Sequence, residues 1–530
     1  MSLAVLLSRS LVGLDAPIVR VEVHLARGLP SFGIVGLADA EVRESRERVR
    51  AAILSSGFEF PVGRLTVNLS PADIPKESGR FDLPIALGLL LVSGQVEMQR
   101  DDPRSQTRAD SNADPREAAH AFQGSVSHSG SPDLSSWVLA GELSLTGALV
   151  STRGALAIAL AVARTQPSAT LLLPSDDAAD AARVPGLVVL GARCLADVVA
   201  HFNGVATLQP TPCIPITLKN EPLPCLSDLR GQTIARRALE LAAAGGHSML
   251  LSGTPGVGKS MLAKRLAGIL PPLTQSESLE VASIATFAGL TGGMGHARPF
   301  RAPHHSASLP AIIGGGLKPR PGEVSLSHRG VLFLDELPEF DRRVREALRE
   351  PLENYEIALA RANIKVVYPA DFQLLATMNP CPCGWNGHPK RACQCRREQI
   401  LAYQSRVSGP LIDRIDLQIY VTQESTSWME LPMGESSEVV RQRVEAAWSR
   451  QKQRQGVLNA RLTDGQIDTH CNMSQQAKVL LERLIRTYYL SARSIQRVRR
   501  VARTIADLEG RSTLEPQDFA EAFQYRFKPV

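Results

Sequence analysis

The chain has 530 residues, 44% of them hydrophobic and 21% charged, with a formal net charge of +6. That length is too great for one hydrophobic core and predicts several domains. The mild basic excess permits a nucleic-acid partner without requiring one. The longest apolar run, Leu83 to Gly94, is too short to span a bilayer, and the N-terminus lacks a basic leader region, so a cytoplasmic protein with no membrane partner is expected.

Residues 1–205 are predicted to form a mixed α/β domain. Ile18–Leu25 alternates Val19, Val21, Val23 and Leu25 with polar residues, as a half-buried strand does. Asp39–Gly57 reads as a charged amphipathic helix with Val42, Val49 and Ile53 on one face and a stop at Gly57. Arg64–Leu69 alternates again, and Leu83–Leu91 reads as a buried helix. Leu143–Val150 predicts a hairpin turning at Thr146-Gly147. Thr170–Pro174 and Leu187–Gly191 read as strands and Cys194–Phe202 as a helix. Between them, Arg100–Ser136 is rich in Ser, Asp, Arg and Gly, and is expected to be a disordered insertion at about 100–136.

Residues 206–226 are Pro-rich and predict a semi-rigid linker. Residues 227–425 form the second part, opening with a Ser/Asp-capped helix that ends at Gly245-Gly246. Residues 426–530 are helical and rich in Arg, a third part.

The second part carries the chemistry. Gly253, Thr254, Pro255, Gly256, Val257, Gly258, Lys259 and Ser260 fit G-x-x-x-x-G-K-[ST] between an apolar strand and an amphipathic helix. Glycines let backbone N–H groups wrap phosphates, and the helix N-terminus adds positive potential. Lys259 is expected to reach the β- and γ-phosphates of ATP, and Ser260 to ligate Mg²⁺. Gly330–Phe340 is a second apolar strand ending in Asp335 and Glu336. Alone, two such acids cap the next helix. Paired with the phosphate loop, Asp335 holds the Mg²⁺ shell and Glu336 polarises the attacking water. A third strand ends at Asn379, which either positions that water or forms a plain Asn-Pro turn. Arg414 lies between Asp413 and Asp416: it either pairs with them or reaches a neighbouring subunit's γ-phosphate. Arg493, Arg497, Arg500 and Arg503 recur at helical spacing. One of them could sense nucleotide from the lid, and the rest form a solvated or DNA-facing stripe.

Cys381, Cys383, Cys393 and Cys395 form two C-x-C pairs that offer Zn²⁺ four thiolates, with His388 as a substitute ligand and reduced structural thiols as the alternative. Cys194, Cys213, Cys225 and Cys471 are scattered, as reduced thiols are.

These runs together resemble the ComM/YifB group of magnesium-chelatase-like AAA+ ATPases, which are ATP-driven branch-migration helicases linked to natural transformation. The resemblance covers nearly the whole chain, through "GLPSFGIVGLADAEVRESRERVRAA", "PADIPKESGRFDLPIAL", "RPFRAPHHSAS", "GEVSLSHRGVLFLDELPEF", "MNPCPCG", "SGPLIDRIDL" and "SARSIQRVRRVARTIADLEG". It implies an α/β chain with a Lon-protease-like N-terminal domain, an AAA+ core with a parallel sheet, and a C-terminal helical lid. By carry-over it implies Lys259 in Walker A, Asp335 and Glu336 in Walker B, Asn379 as sensor 1, Arg414 as arginine finger and Arg493 as sensor 2, with Arg497 one turn away. Asp82 stands near where Lon's nucleophilic Ser would fall. Asp cannot do that acyl chemistry, so the domain is read as non-proteolytic.

The same resemblance places a pore hairpin at Glu356–Phe372 with Arg361-Ala362-Asn363 at its tip, and a helix-2 insert in Phe300–Ser325. Arg361, Lys365, Lys318 and Arg320 are the expected DNA contacts, against a solvated hairpin as the plain alternative. For His304 and His305, ordinary hydrogen bonding outweighs metal or phosphate binding. The function expected is a homo-hexameric DNA translocase that drives branch migration. The alternatives are a chelatase-type motor remodelling a protein partner and a nucleotide-switched scaffold.

Overall fold

The computed structural model describes residues 2–36, 40–76, 79–97, 134–213, 223–290, 295–316, 319–361, 364–422, 431 and 433–526. The chain divides into two compact units, Met1–Pro215 with Gly289–Thr291, and Ile216–Ala288 with Gly292–Val530. Among the described residues, no helix is long and apolar enough to cross a membrane.

The first unit runs β1 (Ser2–Arg9), β2 (Ile18–Ala26), β3 (Ser31–Val35), α1 (Ala40–Ser55), β4 (Arg64–Ser70), α2 (Asp82–Val92) and β5 (Trp137–Leu139). It continues with the hairpin β6 (Glu142–Leu143) and β7 (Leu149–Val150), then α3 (Ala155–Thr165), β8 (Thr170–Pro174), α4 (Ser175–Ala181), β9 (Val188–Ala192) and α5 (Leu195–Phe202). One mixed sheet has the strand order β3-β4-β2-β1-β5-β8-β9. The alternation of β2 turns Val19, Val21 and Val23 into the core. Helix α2 lies on that face and is buried nearly all round. Gly88 allows the close approach, since a Cβ there would sit 2.6 Å from Val23 Cγ2. At the start of α2, Asp82 is fully buried and accepts from Arg48 Nε at 2.9 Å and from the Leu143 N–H at 3.3 Å. It is a structural ion pair tying α1, α2 and the hairpin together.

Most of the 100–136 insertion lies outside the described residues, within 98–133. Its last three residues correct the expectation. Leu134 is buried and its carbonyl accepts the Trp137 N–H at 3.0 Å, so the turn into β5 is packed. The linker is also shorter than expected. Thr211 N–H donates to Val189 O at 2.8 Å, Leu226 is buried in the second unit's core, and 214–222 lie outside the described residues.

The second unit begins with α6 (Thr233–Gly245), β10 (Met249–Gly253), α7 (Lys259–Ile269), α8 (Gln275–Phe287) and β11 (Phe300–Arg301). Then come α9 (Leu309–Ile313), β12 (Gly314–Gly315), β13 (Arg320–Pro321), α10 (Glu323–Leu326), β14 (Val331–Leu334), α11 (Arg342–Ala347) and α12 (Pro351–Asn354). The hairpin β15 (Glu356–Arg361) and β16 (Ile364–Pro369) precedes β17 (Gln373–Met378), α13 (Arg397–Gln404), α14 (Gly409–Ile412) and β18 (Leu417–Val421). The C-terminal helices are α15 (Ser437–Gln455), α16 (Asp464–His470), α17 (Gln475–Tyr488), α18 (Ala492–Leu508) and α19 (Pro516–Gln524).

Five parallel strands form a sheet in the order β11-β14-β17-β10-β18. Every residue of β14 and β17 is buried, as near-continuous apolar runs must be when helices cover both faces. Residues of α15, α18 and α19 share one hydrophobic core with α6, α7 and β10. Ser227 and Asp228 do not cap α6. They lie in a 3₁₀ turn, and the helix starts only at Thr233, after Gln232 at φ +53°. Asp228 instead pairs with Arg265 at 3.0 Å, whose largely buried guanidinium needs a counter-charge.

Candidate active site

The phosphate loop connects β10 to α7. An added Cβ at Gly253 would meet Val421 O at 2.4 Å, so β18 excludes any side chain there. Gly256 and Gly258 sit at φ +81° and +89° and face open space, with nothing within 4 Å of an added Cβ. That open concavity before a helix N-terminus fits a phosphate group. Lys259 Nζ donates to Gly253 O at 2.7 Å, Thr254 O at 3.0 Å and Asn379 Oδ1 at 3.1 Å. Burial lowers its ammonium below the usual range, opposed by Asp335 and Glu336.

The acids of β14 meet this loop. Ser260 Oγ donates to Asp335 at 3.0 and 3.2 Å, so a hydroxyl and a carboxylate suited to an octahedral Mg²⁺ shell already touch. Both Asp335 and Glu336 are exposed at the strand end. Glu336 has φ +57°, a left-handed conformation that costs a non-glycine residue about 1–3 kcal/mol. Thr377, fully buried on β17, holds the pair in place. Its hydroxyl donates to Asp335 Oδ1 at 2.5 Å and accepts the Glu336 N–H at 3.0 Å. Sequence reasoning missed Thr377. Its one signal was a hydroxyl inside a largely apolar strand, two residues before Asn379.

Arg414 and the arginines of α18 sit elsewhere. The phosphate loop follows the C-terminal end of β10, whereas Asp416 N–H bonds Ser248 O at 3.1 Å at the N-terminal end. A cavity of about 300 Å³ at that end is lined by Glu353, Arg414, Asp416, Arg493, Arg497 and Arg500. Arg414 pairs with neither sequence neighbour. It bonds Pro410 O and Glu353 Oε1, each at 2.6 Å, while Asp413 lies 3.7 Å from Arg526.

Asp416 belongs to a buried network with Arg497 at 2.5 Å and His247 Nδ1 at 2.9 Å, and the other His247 nitrogen reaches Thr504 at 2.7 Å. Burial alone would push the Asp416 carboxyl up. Arg497 and then His247 overcome it and hold it well below the usual carboxylate range. The predicted arginine stripe is therefore not a solvated face. Arg503 is fully buried against Asp507, and Arg500 bonds Leu462 O at 2.6 Å. Arg493 stays exposed at the helix start.

The four clustered cysteines come together, with sulfurs all within 4.8 Å of one another. Cys381, Cys383 and Cys393 are separated by 3.4, 3.6 and 3.6 Å. A tetrahedral ion with Zn–S bonds of about 2.3 Å spaces its sulfurs by about 3.8 Å. N–H groups of Trp385 and Gln394 bring the Cys383 thiol down to about 6. His388 is not in the cluster. Its Nδ1 accepts the Lys390 and Arg391 N–H groups at 3.0 and 2.9 Å. Beside the cluster, an apolar cavity of about 750 Å³ is lined by Ile234, Pro380, Gly387, Tyr420, Tyr488 and Phe523.

The expected DNA contacts are divided. β15 and β16 pair from Glu356↔Pro369 to Arg361↔Ile364, and Lys365 is exposed on this hairpin. Residues 362–363 and the Arg361 side chain lie outside the described residues. Arg320 is exposed on β13, opposite Gly315, and Lys318 lies outside the described residues. His304 and His305 stack at 4.1 Å, and His304 bonds Ser306.

Residues 225–429 match the family described as magnesium chelatase, subunit ChlI. Residues 21–104 and 434–526 match subunit ChlI of Mg-chelatase and its C-terminal region. The chain is 41% identical to YifB of Escherichia coli (strain K12) over 99% of its own length and 97% of that protein. It is 40% identical to the competence protein ComM of Haemophilus influenzae, over 99% and 98% respectively. The chain belongs to the ComM/YifB group of magnesium-chelatase-like AAA+ ATPases. The magnesium-chelatase 67 kDa subunit of Chlorobaculum parvum is 30% identical over only 29% of the chain. Membership in an AAA+ family implies ATP hydrolysis with Mg²⁺.

Proposed function

We propose that the chain is a cytoplasmic, homo-hexameric ATPase that translocates on DNA and drives branch migration when incoming DNA recombines. The observation that carries the motor reading is the meeting of Lys259, Ser260, Asp335, Glu336 and Asn379 at the C-terminal ends of neighbouring parallel strands. The loop N–H groups and Lys259 bind the phosphates of ATP, and Ser260 and Asp335 hold Mg²⁺, which when bound neutralises phosphate charge. Glu336 accepts the proton of the attacking water, and Asn379 orients that water. Tyr420, Tyr488 and Phe523 offer the base an aromatic wall.

Arg414 and Arg493 act on a neighbouring subunit's nucleotide, because they lie at the opposite end of the sheet from their own phosphate loop. A head-to-tail ring supplies that neighbour. Cys381, Cys383, Cys393 and Cys395 hold a structural Zn²⁺ in this reading. Residues 1–205 serve as a non-proteolytic, Lon-like accessory domain, supported by the saturated Asp82.

DNA as the load is supported by the exposed Lys365 and Arg320 on short hairpins and by the likeness to a competence protein. The chelatase family descriptions favour a second reading, a motor that remodels a protein partner. ATPase rates with and without a synthetic four-way junction, across a salt series, separate the two. Hydrolysis that rises with junction DNA, weakens with salt and vanishes in Glu336→Gln is expected. Glu336-dependent hydrolysis indifferent to DNA overturns the DNA reading.

A further inference from the structure

The cysteine knuckle is placed where a purely local staple would not need to be. It begins two residues after Asn379, whose side chain accepts from Lys259. Gly384, inside the knuckle, sits at φ +80°, and an added Cβ there would lie 2.6 Å from Pro255 Cγ, in the phosphate loop. Asn386 donates its N–H to Cys381 Sγ at 3.4 Å, and its carbonyl accepts the Tyr420 hydroxyl at 3.2 Å. Asn386 and Gly387 also line the apolar cavity proposed for the base. On the other side, Gln404 Nε2 donates to Pro380 O at 3.0 Å.

The knuckle therefore touches three parts of the nucleotide site: the sensor asparagine, the phosphate loop and the cavity wall. Within it, among the described residues, few apolar side chains hold the loop together. Cys381 alone of the four cysteines is buried, and Arg391 stacks on Trp385 from outside at 4.4 Å. A loop of this composition needs a cross-link to keep one shape, and a thiolate-bound metal supplies one.

We propose that the four-thiolate metal knuckle is a clamp on the nucleotide site, so that ATP binding depends on metal occupancy. This rests on the Zn²⁺ reading of the preceding subsection. With the metal in place, Gly384 is pressed against Pro255 and the loop keeps its open form. Without it, the knuckle loosens and both the phosphate loop and Asn379 lose their support. The same thiolates then regulate the motor, because whatever removes the metal also lowers nucleotide affinity.

The test uses the full-length protein and two readouts, metal content by mass spectrometry and equilibrium binding of a fluorescent ATP analogue with Mg²⁺ in excess. Wild type is stripped with a chelator and Zn²⁺ is titrated back. Affinity is expected to follow occupancy, falling about tenfold in the stripped protein and returning with one equivalent of Zn²⁺, a change of about 1.4 kcal/mol. Gly384→Ala is expected to keep its metal and still bind nucleotide about tenfold more weakly, since the new methyl group displaces Pro255. Cys393→Ser with Cys395→Ser is expected to lose both metal and affinity. If that variant does not fold, the titration and Gly384→Ala still decide. Wild type that never takes up Zn²⁺ overturns the metal reading itself. Wild type that binds Zn²⁺ while nucleotide affinity stays flat across the titration overturns only the clamp.

Discussion

Replacing Thr377 with Val removes one hydroxyl and keeps the shape of a fully buried side chain. Two bonds disappear together, the 2.5 Å donation to Asp335 and the 3.0 Å acceptance from the Glu336 N–H. A hydrogen bond to a charged group contributes about 1.5–3 kcal/mol net, and the partly buried Glu336 N–H, left without its partner, costs less than the about 1–3 kcal/mol of a fully buried one. The second loss also removes one support of the left-handed backbone at Glu336. If about 2–3 kcal/mol of the combined loss falls on the transition state, kcat drops about 30- to 160-fold. Steady-state ATPase assays with KM, nucleotide binding and thermal melting check this. A fall in kcat with nearly unchanged nucleotide affinity, largely reversed in Thr377→Ser, is the expected pattern. A folded Thr377→Val protein with kcat within about threefold of wild type would refute the view that Thr377 positions the acids.

The remaining predictions probe the far end of the sheet and the DNA face. Arg414→Ala and Glu336→Gln are each expected to be inactive, yet mixing the two as subunits should recover activity, because random pairing leaves roughly a quarter of the interfaces with both groups intact. No recovery in mixed rings that demonstrably exchange subunits sinks the trans assignment of Arg414. Arg497→Met leaves Asp416 buried beside His247 without its main counter-charge, and a loss of about 3–5 kcal/mol is expected in chemical denaturation.

The folded carboxyl of Asp416 lies below its unfolded value of about 3.9, so its stabilising contribution is full above that pH and is lost as pH falls through the folded value. The stability gap between wild type and Asp416→Asn should therefore narrow below about pH 4 in thermal melts. A gap that stays constant into strong acid contradicts the depressed carboxyl. Lys365→Ala is expected to weaken DNA binding uniformly across sequences and to reduce the slope of log affinity against log salt by about 1. An unchanged slope removes Lys365 from the contact set.

Chain order alone picked out residues that the fold brings together at the candidate nucleotide site. The phosphate loop, the acids closing an apolar strand and the asparagine closing another are each local patterns, because a parallel strand that is buried on both faces must be apolar and must end where its chemistry begins. The strands of the first unit were legible for a similar reason, since alternation in Val19, Val21 and Val23 directly encodes one buried face. The four cysteines were readable as a cluster, though not as a contact on Pro255.

What spacing could not carry was pairing across the fold. Helical periodicity shows that Arg497, Arg500 and Arg503 share a side of α18, but not whether water or carboxylates lie opposite. For Arg497 the answer came from Asp416, outside the helix, whose buried charge needs a partner. Asp228 likewise does not cap the helix that follows it and pairs with a buried arginine. Thr377 looked like one more strand residue until β14 lay beside β17 and brought the Asp335 carboxylate and the Glu336 N–H within reach of its hydroxyl. Local patterns record what a segment must bury. Which charge or donor it meets there depends on elements up to hundreds of residues away, and only packing brings those together.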